Sequence, residues 1–141
     1  MTETVHATCI AIGGRGILLR GRSGSGKSDL ALRLIDRGAR LVSDDYTILA
    51  ESGGRIRAAA PATIAGKLEI RGIGIVAMAA DEDVPVCLVA ELDEAPERLP
   101  EAAKELPLLG TRVPAIALAA LEASAPLKLE QALLLFGLPL P

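Results

Sequence analysis

The sequence predicts an α/β protein built on a mixed sheet that carries a phosphate-binding loop. Three observations lead there. Short aliphatic, strand-like runs joined by tight turns outnumber the helical segments. A glycine-punctuated loop, Gly21 to Gly26, ends in Lys27-Ser28 just where a helical pattern begins. The run VCLVAEL, Val86 to Leu92, is apolar enough to lie in the middle of a sheet. Because most strands follow one another through turns and not through helices, the sheet is expected to be mixed and not a regularly alternating doubly wound one.

Taken in order, residues 8–12 (TCIAI) and 17–20 (ILLR) are aliphatic segments separated by Gly13-Gly14-Arg15-Gly16. That turn signal makes them a β-hairpin feeding the loop at Gly21. After the loop, Leu30, Leu34 and Ile35, with Ala31 and Leu32 beside them, give a helical period, and Gly38 supplies its stop. Arg40 to Ser43 is a brief strand with Asp44 and Asp45 at its end, and Tyr46 to Ala50 continues extended to the ESGG turn at 51–54. Lys67 to Arg71 (KLEIR) alternates polar and apolar residues as a half-buried strand does, running into Gly72-Ile73-Gly74-Ile75. Beyond Leu92, Pro96, Pro100, Pro107 and Pro114 break up the chain, with a charged, solvent-facing segment around Glu97 to Glu105. An apolar helix from about Lys128 to Phe136 closes the sequence, and Leu127 to Leu140 is a candidate subunit contact as well as a core helix.

Length and composition exclude several function classes. At 141 residues the chain is one domain, residues 1–141, with a core of Ala, Val, Ile and Leu. A net charge of -3 offers no basic footprint for nucleic acid, and one Tyr, one Phe and no Trp offer no platform for stacked bases. No apolar run approaches the roughly 20 residues of a membrane span. The start, MTETVHATCIAI, lacks a basic region followed by an apolar stretch, so a cytoplasmic location is expected. Cys9 and Cys87 sit in aliphatic runs, as buried free thiols of a reducing compartment do.

The loop Gly21-Arg22-Ser23-Gly24-Ser25-Gly26-Lys27-Ser28 satisfies GxxxxGK[ST] in full. Glycines let successive backbone N–H groups curl round phosphate oxygens, and the following helix N-terminus adds its positive dipole end. Lys27 then reaches the outer phosphates and the Ser28 hydroxyl ligates Mg²⁺. A Gly/Ser-rich turn that merely caps a helix, through Ser23 or Ser25, is the plainer alternative. The position between a strand and a helix favours the polyphosphate.

Phosphoryl chemistry also needs a carboxylate near the metal and a group to take a proton. Asp44 and Asp45 stand one helix downstream, at a strand end where a carboxylate faces the loop. On a continuing strand only one of them faces it; both do so if the backbone turns there. A solvated Asp-Asp turn is the alternative. Glu69 and Arg71 share one strand face, opposite Leu68 and Ile70, and run into Gly72-x-Gly74, where the backbone can approach a ligand closely. His6, the single histidine, enters the first strand and by itself reads as a surface or partly buried structural residue ahead of a catalytic one.

Together His6, the loop with Lys27-Ser28, the pair closing LVSDD, and LEIRGIGI at Leu68 to Ile75 resemble the catalytic domain of the bacterial HPr kinase/phosphorylase family. The resemblance covers roughly residues 4–78. It implies a fold similar to the nucleotide-binding part of phosphoenolpyruvate carboxykinase and assembly as homohexamers. It implies ATP- and Mg²⁺-dependent phosphorylation of a serine of HPr or a related phosphocarrier of the phosphotransferase system, and the reverse reaction, in which inorganic phosphate removes the group as pyrophosphate. By the same resemblance Asp44 handles the serine proton, and Asp45 and His6 tune it. Gly21 to Lys27 hold the nucleotide or pyrophosphate, Ser28 and Glu69 bind Mg²⁺, and Arg71 stabilises the transferred group. Three departures stand out. Longer members carry a further N-terminal domain, so the chain resembles a short form. Asp29 replaces a common Glu. An arginine-rich PGRN-like loop before the final helix is replaced by GTRVPAIALAALEASAPLK, where only Arg112 is near. The alternatives are a P-loop kinase of a small metabolite and a non-catalytic nucleotide-sensing module. The first would need a basic lid that residues 79–115 do not offer, and the second has no use for Asp44 and Asp45.

Overall fold

The opening hairpin forms where its turn chemistry places it. In the computed structural model, which describes residues 1–141, β1 (Thr2–Ile12) and β2 (Arg15–Arg20) pair antiparallel from Ala7↔Arg20 to Ile12↔Arg15. The strand β1 starts well ahead of its apolar half because its first half has a distant partner. Thr2 to His6 pair with β4 (Tyr46–Ser52), while Ala7 to Ile12 pair with β2. The helix α1 (Lys27–Asp36) follows the loop, and β3 (Arg40–Ser43) then returns along the other side of β1.

Four strands lie where no local pattern marks them. These are β5 (Arg55–Ala59), β7 (Gly74–Ala77), β9 (Lys104–Leu108) and β10 (Thr111–Ala117). Pro107 and Pro114 argued against the last two. Yet β9 is an edge strand, where a missing N–H is tolerated, and Pro114 precedes the stretch Ala115–Ala117 in which β10 joins β8 (Val84–Glu91). The segment Glu97–Ala102 is exposed, as its charge predicts. The remaining elements match their patterns: β6 (Lys67–Ile70) forms a ribbon with β7, and α2 (Ala125–Phe136) begins earlier than Lys128, with Pro126 in its first turn.

Eight strands form one sheet that folds over on itself. The pairings β1–β4, β4–β5, β5–β8, β8–β2 and β2–β1 close a ring, with β10 and β9 continuing from β8. Strand β8 runs parallel to β2 and β10, and the other pairings are antiparallel, so the sheet is mixed.

The core has two layers because the central strands are buried on both faces. Leu18 and Val89 belong to a cluster of 14 buried residues, while Ile17, Leu19 and Leu88 join one of 18 that includes Leu30 and Leu34 of α1 and Leu129 and Leu133 of α2. Each such fully buried side chain contributes about 1.5–3 kcal/mol. Cys9 and Cys87 are free and buried in different layers, so the sheet separates them. Burial also holds the Cys9 thiol well above its usual titration range.

This layering sets the site. Strands β2, β8 and β10 are mutually parallel, and β3, antiparallel to β1 as β2 is, runs the same way. Their carboxyl ends therefore share one edge, where open α/β sheets take their ligands.

Candidate active site

The loop leaves β2 at that edge. Gly21 is required by close approach: a Cβ there would lie 2.9 Å from Ser25 Cβ and 3.2 Å from Leu92 Cβ. Gly26, at φ 95°, caps α1 in a left-handed conformation that a side chain would strain, and no side chain caps the helix N-terminus. Its free N–H groups and positive dipole end are the anion-binding features expected of such a loop. Lys27 is buried and folds back over the loop, its Nζ donating to the carbonyls of Gly21 at 2.7 Å and Arg22 at 3.0 Å.

Asp44 is the best-connected acid. It is only 7% exposed, yet its carboxylate has three donors: Ser28 Oγ at 2.5 Å and Thr8 Oγ1 at 3.3 Å on Oδ1, and the Glu69 N–H at 3.0 Å on Oδ2. Three elements, β1, α1 and β6, thus converge on one buried charge, which is how such a charge is stabilised away from water. The backbone does turn after it. Asp45 has φ 66°, and its exposed carboxylate accepts a hydrogen bond from His6 Nε2 at 2.7 Å. His6 stacks in turn on Tyr46, with ring centroids 5.2 Å apart.

Both acids line a cleft of about 470 Å³ together with Ser23, Gly24, Gly26, Lys27, Ser28, Glu69 and Arg71. Gly21, Arg22 and Ser25 stand behind it in the loop, and His6 reaches it through Asp45. The charged lining is two cations, Lys27 and Arg71, against four carboxylates, Asp29, Asp44, Asp45 and Glu69. Four carboxylates against two cations leave the cleft acidic, so a polyphosphate there needs its charge offset. The Ser28 hydroxyl and the Asp44 carboxylate, in contact at 2.5 Å, are oxygen donors of the kind a hard ion takes, and the exposed Glu69 lines the same cleft.

Two residues escaped the sequence pattern. Thr8 is fully buried in the apolar run TCIAI, and its hydroxyl accepts the Asp45 N–H at 3.0 Å while donating to Asp44. Asp93, just past β8, accepts the Arg22 N–H at 2.9 Å and anchors the loop from the other side. A lone hydroxyl in an aliphatic strand is the one signal that marked Thr8. Arg112 lies elsewhere, paired with Glu105 at 2.9 Å near the start of β10, the end away from the cleft.

Comparison with known proteins gives the family and the fold. The family model described as HPr Serine kinase C-terminal domain matches residues 1–125. An HPr kinase/phosphorylase from Clostridium botulinum is 46% identical over 72 residues, covering 51% of this chain and 24% of the relative. One from Streptococcus thermophilus is 35% identical over 126 residues, covering 80% of this chain and 41% of the relative. The chain therefore spans well under half the length of these curated relatives. The solved structure of the Hpr(Ser) kinase/phosphatase from Coxiella burnetii superimposes with a TM-score of 0.80 at 29% identity, covering 92% of each chain.

Proposed function

The chain belongs to the HPr serine kinase C-terminal domain family, and from that premise we propose that it is the catalytic domain of a cytoplasmic, Mg²⁺-dependent enzyme that phosphorylates a serine of HPr or a related phosphocarrier from ATP. The observation that carries the proposal is the buried Asp44 carboxylate. It sits in one cleft with Lys27 and Arg71, 2.5 Å from the hydroxyl of the loop serine. Bound Mg²⁺ would supply charge neutralisation for the phosphates, with Ser28 and Glu69 as its protein ligands.

The side chains divide the rest of the work. Gly21 to Gly26 and the start of α1 bind the phosphates through backbone N–H groups, and Lys27 exchanges its bonds to the loop carbonyls for the outer phosphate. As the acceptor serine oxygen bonds to the γ-phosphorus and the bond to the leaving ADP breaks, the serine proton passes to Asp44. Arg71 stabilises the charge on the moving phosphoryl group. Asp45, held by His6, and Thr8 keep Asp44 oriented.

In the reverse direction an oxygen of inorganic phosphate attacks the phosphoserine phosphorus. Asp44 returns the proton to the serine oxygen, and pyrophosphate leaves. Assembly as a homohexamer belongs to the same proposal.

Transfer of labelled γ-phosphate from ATP with Mg²⁺ to purified HPr-like carrier tests it, with wild type set against Asp44→Asn. We expect labelled phosphoserine from wild type and at least a thousandfold slower transfer from the variant, about 4 kcal/mol in the barrier. Intact nucleotide binding without any transfer from wild type would overturn the proposal.

A further inference from the structure

A second cleft, of about 510 Å³, lies between Arg22–Ser25 and the segment Ala119–Glu122 that follows β10. It is lined by Leu92, Ala119, Ala120 and Leu121, and it meets the cleft of Asp44 at Ser23, Gly24 and Leu121, which line both. We propose that this second cleft receives the nucleoside end of a nucleoside triphosphate, laid on aliphatic side chains, while the phosphates turn round the loop toward Asp44. The proposal rests on the nucleotide-dependent kinase function above and extends it to how the nucleotide is oriented.

Topology gives the direction. The loop follows β2, whose neighbours are β1 on one side and β8 on the other. The paired acids follow β3, beyond β1, whereas Leu92 follows β8 and Ala119 to Leu121 follow β10. A ligand held at the loop by its phosphates has the chemistry on the β3 side, and its remainder must leave on the β8 and β10 side.

Charge agrees with this direction. Apart from Arg22, the charged groups lining the second cleft are Asp93 and Glu122. Arg22 faces Asp93 at 3.6 Å, and two carboxylates stand against this one exposed cation, so the net charge of the cleft is negative and disfavours a phosphate. An uncharged base and ribose fit, with ribose hydroxyls as donors to the carboxylates. The volume lies within the range of small-molecule pockets. The wall is also fixed in place: Arg33 of α1 donates to the Ala120 carbonyl and, at 3.0 Å, to that of Glu122, so the helix that follows the loop holds the far side of the cleft. With no aromatic ring among its lining residues, the cleft holds a base by shape and dispersion and not by stacking.

Calorimetric titration of the whole chain with ATP, GTP and pyrophosphate, each with Mg²⁺, tests the assignment. Ala119→Ile fills the cleft without adding a stacking or hydrogen-bonding group. We expect it to weaken ATP and GTP alike by about tenfold and to leave pyrophosphate within about twofold, since only the nucleoside is displaced. The chain has no Trp, so Ala119→Trp adds a unique reporter whose fluorescence should respond to ATP and not to pyrophosphate. This second variant decides the matter if the first does not fold. Unchanged ATP affinity in Ala119→Ile, or equal fluorescence responses to ATP and pyrophosphate in Ala119→Trp, would overturn the cleft assignment. Failure of wild type to bind pyrophosphate would instead overturn the phosphate-loop function on which it rests.

Discussion

Thr8 carries more of the site than its place in an aliphatic strand suggests. Its single hydroxyl serves both acids, accepting from the Asp45 N–H and donating to Asp44, so it fixes the turn that points the two carboxylates differently. Thr8→Val keeps the shape, leaves the Asp45 N–H without an acceptor and removes one donor from Asp44. We expect a stability loss of about 1–2 kcal/mol and a kcat about tenfold lower, with the nucleotide KM within twofold. Thr8→Ser should restore kcat, which a purely structural role for the methyl group would not allow. Steady-state kinetics beside thermal melts separates the two. Glu91, at the end of β8 beside the loop, is a second residue with a readable sign. Burial raises its pKa, only partly offset by Arg20 at 3.6 Å. A carboxyl with a raised folded pKa destabilises the fold fully above that pKa and not at all below the unfolded value. Glu91→Gln should therefore stabilise at neutral pH, by less than about 1 kcal/mol because the group is only partly buried and its pairing with Arg20 is lost with the charge. The gain should disappear as pH falls below the ordinary carboxylate range, as melts across pH would show.

Elements are held to one another by arginines that reach main-chain carbonyls. Arg15, at the start of β2, donates to Leu133 O at 3.2 Å and to Leu138 O at 2.8 and 3.1 Å, satisfying carbonyls at and beyond the end of α2. Arg15→Met keeps the stem and removes these donors. It should cost about 1–2 kcal/mol, lowering Tm by several degrees, and leave kcat unchanged because the active cleft is at the opposite end of β2. This is also the scale at which legibility in the sequence ended. The hairpin, α1, β3, β6 and β8 were each legible because turn residues and burial periodicity are local. Strands β5, β7, β9 and β10 were not: β5 and β9 pair with their chain neighbours β4 and β10 across short turns, but β5 and β10 are also held by β8, distant in sequence, and Pro107 and Pro114 argue locally against strands that β8 and the sheet edge permit. Within the site, the loop glycines, Lys27, Ser28 and the acids stood out by spacing. Thr8 and Asp93 did not, since each acts through a contact that only the folded sheet creates.

For the molecule as a whole, scarce aromatics and surplus leucines lead to two expectations. Its aromatic pair, Tyr46 and Phe136, is committed elsewhere: Tyr46 stacks on His6, and Phe136 packs against the helical core layer. Base identity is then poorly read, and ATP should outcompete GTP by well under a hundredfold, about 2.7 kcal/mol, in competition binding. The leucines concern assembly. Helix α2 buries Leu129 and Leu133 in the core, yet Leu127, Leu134 and Leu135 on the same helix, and Leu140 after it, are exposed. Scattered exposed leucines need no explanation, but several on one short helix and its tail form the kind of apolar surface that association covers. If this face joins subunits of the proposed homohexamer, Leu134→Glu with Leu135→Glu should dissociate it. Both side chains are exposed, so the double variant should keep the wild-type circular dichroism and melt close to it. Sedimentation equilibrium should then give a multiple of the chain mass for wild type and a smaller one for the variant. A wild-type mass equal to one chain would rule out the homohexamer, and an unchanged oligomer in the variant would move the subunit contact off α2.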